Sequence, residues 1–204
     1  MDRLGIDCPL GWPDDFVAFV QAHAAGAVGL GEESGDDLRR RLAWRLTDLR
    51  VRAAGAQPLT VAAERLGYTA MRAARLLALL ARRGTPVDRA GTGRVVEVYP
   101  AASLQRWGLA HRGYKGQQRT GALGELVADL VARAPWLDLG PHRPALERSD
   151  DLLDAVVAAL TARAAARGRC VLPAPEEVAR AGREGWIMVP DTADSLAALV
   201  DPAA

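Results

Sequence analysis

The segment Val95-Val96-Glu97-Val98-Tyr99, closed by Pro100, constrains the chain more than any other. Its β-branched and aromatic content is that of a buried strand, and the proline stops it. A carboxylate inside such a strand must be satisfied by something positive, because an unpaired buried ion costs several kcal/mol. A divalent metal is the simplest partner; an arginine salt bridge would serve as well, and this chain is rich in arginine.

Around that strand the pattern alternates. Leu4-Gly5-Ile6-Asp7-Cys8-Pro9 reads as a short strand stopped by proline, with Asp7 on the opposite face from Ile6. A helix is expected over Asp14 to Ala24, then a glycine-bearing loop from Gly26 to Gly35. Asp36 is expected to cap one helix burying Leu38, Leu42, Leu46 and Leu49 as a stripe. Two helical pieces, Val61 to Leu66 and Met71 to Ala81, flank Gly67-Tyr68-Thr69. Leu123, Leu126, Val127, Leu130 and Val131 mark an amphipathic helix, Ser149 caps a long last one running to about Gly168, and Trp186-Ile187-Met188-Val189 is a final strand. Strands separated by helices predict a single α/β domain over residues 1–204.

In the last helix, Leu152, Leu153, Val156, Val157 and Leu160 are expected to form the apolar stripe. Asp151 and Asp154 then share another face. Asp150 is read as complementing the helix dipole, whereas Asp154 lies a turn further in, where that benefit fades. Asp7, Glu97, Asp151 and Asp154 are therefore the expected catalytic acids and metal ligands. Mg²⁺ or Mn²⁺ is the expected cofactor, since carboxylate-bound ions clamp the attacking and leaving oxygens of a phosphodiester.

The charges nearly cancel, 26 basic against 25 acidic, so nucleic acid would have to be held by a local patch rather than a global field. The basic, polar loop Tyr114 to Arg119 is one such patch. Two distant cysteines and three scattered histidines oppose both disulfide and zinc readings. With no basic region leading into an apolar run, and no window approaching the ~20 apolar residues of a membrane span, a cytoplasmic, membrane-free protein is expected.

Six segments occur in the order seen in an uncharacterised family of predicted nucleases with the RNase H fold, which the chain resembles over nearly its whole length. They are Ile6 to Pro13, Arg45-Leu46-Thr47-Asp48, Val96 to Ala101, Tyr114-Lys115-Gly116, Asp150 to Ala155 and Glu184-Gly185-Trp186-Ile187. The resemblance implies an RNase H-like mixed sheet flanked by helices and Mg²⁺-dependent hydrolysis of nucleic acid. Arg45, Asp48, Tyr114, Lys115 and Arg119 match or adjoin its motifs and are expected to meet substrate. Members of that family begin with a strand carrying a metal-binding aspartate ahead of the Ile6-Asp7 segment. The chain is therefore expected to be N-terminally shortened: either its true start lies upstream, or the sheet is reorganised and catalysis is lost.

Two rival readings stand beside this one. Residues 59–80 resemble a helix-turn-helix, with Ala63 four before Gly67 and Arg72 and Arg75 following. That DNA-binding regulator gives no role to Glu97, Asp151 or Asp154. A non-catalytic scaffold of the same fold is the other.

Overall fold

The structure is a computed structural model and describes residues 3–29, 33–62, 66–116 and 120–200. The elements run β1 (Leu4–Ile6), α1 (Asp14–Ala24), α2 (Gly35–Ala43), α3 (Leu46–Ala53), α4 (Gly67–Arg82), β2 (Val95–Val98), α5 (Pro100–Arg106), α6 (Thr120–Arg133), α7 (Arg143–Leu146), α8 (Asp150–Ala166), α9 (Val178–Glu184) and β3 (Ile187–Met188). The three strands make one small parallel sheet in the order β1-β2-β3, so the chain is an α/β protein dominated by helix. It divides into two compact units: Met1–Asp7 with Val98–Val171 and Met188–Ala204, and Cys8–Glu97 with Leu172–Ile187.

The first unit is built on α8. Ser149 accepts a hydrogen bond from Leu152 N at 3.3 Å, an N-cap that satisfies one of the helix's open amides. The helix buries Leu153, Val157 and Leu160 together with Asp154, Ala158, Thr161, Ala162, Ala164 and Ala165. This face is wider than the expected leucine stripe, and Leu152, expected within it, is 48% exposed. The small residues are what let β1 lie close: a Cβ on Gly5 would stand 2.4 Å from the Ala158 carbonyl oxygen and 3.2 Å from Ala162 Cβ. α5 begins with Pro100 at its first position, where the missing N–H costs nothing, and delivers Trp107, whose buried indole donates to Ser195 Oγ at 3.1 Å. α6 buries Leu123, Leu126, Val127 and Leu130 as its spacing requires.

Cys170 is buried in this unit, its Sγ donating to the Thr161 carbonyl, and burial pushes its thiol up to about 12. A thiolate is the reactive form, so at pH 8 the Cys170 thiol is inert while the protein is folded. In a Cys8→Ser variant, Ellman's reagent is expected to react only at the rate of unfolding; a fast stoichiometric reaction in native buffer would contradict this burial.

In the second unit, the expected continuous helix through Leu38 and Leu49 is broken. Trp44 and Arg45 are extended, and α3 starts afresh at Leu46 with the Asp48 carboxylate accepting from Arg45 N at 3.1 Å. α2 buries none of its residues and is capped by Ser34, which accepts from Asp37 N at 3.1 Å; Asp36 is not the cap. Leu49 is 46% exposed, so the leucine stripe does not exist as one surface. α4 begins at Gly67, earlier than expected, whereas the expected turn of helix over Val61 to Leu66 falls partly on residues 63–65, outside the described ones.

Candidate functional site

In the second unit, Arg45 begins α3 with its side chain only 1% exposed, and its guanidinium has five N–H groups to satisfy. All five are used. Nη1 and Nη2 reach Glu97 Oε2 and Oε1 at 2.9 and 2.7 Å, Nε and Nη2 reach Asp48 Oδ2 and Oδ1 at 3.0 and 2.8 Å, and Nη1 also donates to the Glu184 carbonyl at 3.2 Å. Leu10 N donates to Glu97 Oε2 as well, at 2.9 Å. Burial opposes the charge on Arg45, but the Glu97 and Asp48 carboxylates overcome it and raise the guanidinium's pKa. Burial likewise pushes the Glu97 carboxyl up, with Arg45 and the Leu10 amide pulling the other way.

A third buried carboxylate completes the cluster. Glu184 accepts from Leu46 N at 2.7 Å and, through Oε1, from Asp14 N and Arg180 Nε, each at 2.9 Å. It ties the first turns of α1 and α3 to the last turn of α9. Two glycines make room for these contacts. A Cβ on Gly11 would meet the Arg183 and Glu184 carbonyl oxygens at 2.5 and 2.7 Å, and one on Gly185 would meet Glu97 Oε2 at 2.7 Å.

The positive partner that Glu97 requires is thus a guanidinium. Arg45 and Asp48, expected to meet substrate, are buried and spent on each other and on Glu97. Their i, i+3 spacing is a core ion pair rather than a helix-surface one. Glu184, visible in the sequence only as part of a motif, is a full member of this cluster. Its signal is the same as that of Glu97, an acid beside an apolar run, here Trp186 to Val189.

The first unit holds the other acids. Asp154, 6% exposed on α8, accepts from the Tyr114 hydroxyl at 2.8 Å through Oδ1 and pairs with Lys115 Nζ at 2.5 Å through Oδ2. Gly116 N donates to Asp150 Oδ2 at 3.1 Å, so three contacts clamp residues 114–116 onto the first turns of α8. Burial, then the charge on Asp154, holds the Tyr114 hydroxyl above its ordinary range, so it remains a donor. Burial works against the Lys115 ammonium, but Asp154, with Asp7 and Asp150, raises its pKa. Asp7, exposed just after β1, bears on Tyr99, Tyr114 and Lys115, the same three groups on which Asp154 bears. Asp151 is exposed on the outer side of the helix turn. Arg119 lies outside the described residues. Within each unit, no group of three or more His, Cys, Asp or Glu side chains is disposed to hold a metal ion among the described residues.

A family model described as a protein of unknown function (DUF429) matches residues 1–178. The chain belongs to this family. The match takes in both clusters except for Arg180, Glu184 and Gly185, which lie just beyond it. No curated protein and no solved structure matches the chain. Among the described residues, no helix is long and apolar enough to cross a membrane.

Proposed function

We propose that the chain is a metal-dependent hydrolase of nucleic-acid phosphodiesters with an RNase H-like fold, its reacting groups lying in the first unit. One observation carries this reading: the nearly buried Asp154 holds the chain's sole lysine, Lys115, and Asp7 bears on the same ammonium. Asp154 thus already seats a compact cation, and the charge of Asp7 adds to the same point. In a chain otherwise restricted to arginine, a lysine there is a point charge rather than a planar fork. What supports the fold reading is strand β1 packing on a long helix bearing acids; the sheet itself is parallel where a mixed one is expected.

Mg²⁺ is held by one or two carboxylates together with water and phosphate oxygens, so Asp154, with the charge of Asp7 acting on the same point, would serve for a single ion. Bound there, the ion would supply positive charge to the phosphoryl oxygens. Tyr114, by donating to one oxygen of Asp154, fixes the carboxylate and leaves its other oxygen for the cation, now Lys115. Lys115, half exposed, would be free to hold a phosphate with its ammonium if an ion took its place at Asp154. Asp151, exposed on the outer side of α8, does not enter this ligand set. Glu97 is engaged by Arg45 and does not enter the ligand set, so the proposal is for one ion rather than a two-ion clamp.

Labelled single-stranded, duplex and branched oligonucleotides should be cleaved in Mg²⁺ or Mn²⁺ and not in EDTA. Asp7→Asn and Asp154→Asn are each expected to lower the rate by on the order of 100-fold or more, as removal of a charge-stabilising group does. Mg²⁺ and Mn²⁺ should each also raise the melting temperature of the native chain but not of an Asp7→Asn/Asp154→Asn double variant. Cleavage in EDTA, or undiminished cleavage by both variants, refutes the reading. A folded protein with neither cleavage nor a metal-dependent shift is the scaffold instead.

A further inference from the structure

We propose that α4, in the second unit, is a binding face for a single nucleic-acid strand, with Arg72 and Arg75 on phosphates and Tyr68 stacked on a base. This names the form of nucleic acid taken, and it rests on the preceding reading only for the class of ligand.

The helix buries Gly67, Ala70, Ala73 and Leu77, small or apolar residues at helical spacing, and leaves nearly everything else outside. Tyr68 is 83% exposed and Met71 60%. Tyr68, Arg72 and Arg75 stand at i, i+4 and i+7 and so project along one side of the helix. With Thr69 and Met71 they line a shallow depression of about 510 Å³. An aromatic ring this exposed has its whole face open to a flat partner, and stacking on a base is sequence-tolerant because every base offers such a face.

The charge of this region selects the occupant. Residues 59–83 contain five arginines (Arg65, Arg72, Arg75, Arg82 and Arg83) against one acid, Glu64. The chain as a whole is balanced, so this is a local excess rather than a share of a general one. Among the described residues no acidic side chain pairs with Arg72 or Arg75. Several other exposed arginines of the same unit are taken up by acids: Arg41 by Glu33 and Asp15, Arg50 by Glu177, Arg183 by Asp14. A polyanion with flat bases complements arginines and an open aromatic together. A single strand suits the open ring better than a duplex, whose bases are already stacked.

The test uses the full chain in EDTA, so that its outcome is separate from that of the cleavage experiment. Fluorescence anisotropy is followed with a labelled 20-mer of deoxythymidine and with a 20-bp duplex. The wild-type chain is expected to bind the single strand more tightly, with affinity falling as salt rises. Tyr68→Ala should weaken binding about 5- to 100-fold, the range for losing one stacked base. Arg72→Glu/Arg75→Glu should weaken it at least tenfold and reduce the log-log salt slope by about 1.4, at ~0.7 for each phosphate no longer neutralised. Arg39→Glu/Arg40→Glu, the same change in charge on exposed positions of α2, should leave binding within about twofold, and all variants should keep the wild-type melting temperature. No binding by the wild type, equal losses in the control, or tighter binding of the duplex through the same residues overturns the proposal; the last would favour a groove-reading helix. Binding without cleavage leaves it standing while the hydrolase reading falls.

Discussion

Replacing Arg45 with methionine is expected to destabilise the protein by about 3–5 kcal/mol, the range for removing one partner of a buried ion pair. The figure follows from what stays behind. Methionine fills most of the space, but the Asp48 and Glu97 carboxyl groups, buried to 0% and 2% exposure, are left without any guanidinium donor. Against a typical total stability of about 5–15 kcal/mol, that is a large fraction of what holds the native state. Arg45→Lys should fall between, since an ammonium keeps the charge but has three donors where the guanidinium has five. The loss should also depend on pH. Without Arg45, burial raises the Glu97 carboxyl further above its unfolded value, so the folded state binds the extra proton and stability rises as pH falls through that raised value. Urea titrations of wild type and variant at pH 7.5 and 5.5 measure both effects. A loss below about 1 kcal/mol at pH 7.5, or one that grows at pH 5.5, would mean that the carboxylates are not held as described.

Much of this cluster could be read from residues, and the part that could not has a clear physical reason. The burial of Glu97 follows from Val95, Val96 and Val98, and the structure bears out the strand. Its partner does not follow, because Arg45 is 52 residues away and nothing local distinguishes it from the other arginines. Asp48 shows the same limit at short range. A spacing of three brings two side chains together on a helix but does not say whether that face meets water or core, and here the core wins because α3 packs on α9. The break at Trp44–Arg45 is hidden for a related reason. Leucines at helical spacing continue through it, and only the extended Arg45 backbone, tied to Asp48, interrupts them. On α8, Ser149 and the apolar spacing locate the helix. That Asp154 turns inward while Asp151 and Leu152 face out depends on how wide a face the neighbours cover, which is set by Gly5, Tyr114 and the alanines rather than by periodicity.

Gly185→Ala is the second large effect, and it acts on the same cluster from the backbone side. Gly185 has φ 90° and ψ 159°, a region essentially reserved for glycine. Forcing an L-residue there costs on the order of 1–3 kcal/mol by itself. The added methyl must also displace something, since its position is 2.7 Å from Glu97 Oε2 and 3.2 Å from Arg45 Nη1, both held at short hydrogen-bond distances. Neither is a flexible end that can swing away, so the combined loss should reach about 3 kcal/mol or more. The two contributions can be separated. Once Arg45 is methionine, Glu97 is no longer pinned and can yield to the methyl, leaving mainly the backbone strain. The Arg45→Met/Gly185→Ala double variant should therefore lose less than the sum of the singles by about 1 kcal/mol or more, as residues sharing one network do. Because the doubly substituted protein should be barely stable, the comparison is best made in a stabilising osmolyte with all four proteins under one condition. Strict additivity would mean that Gly185 is required for its backbone alone and that the Glu97 carboxylate does not depend on the space it leaves.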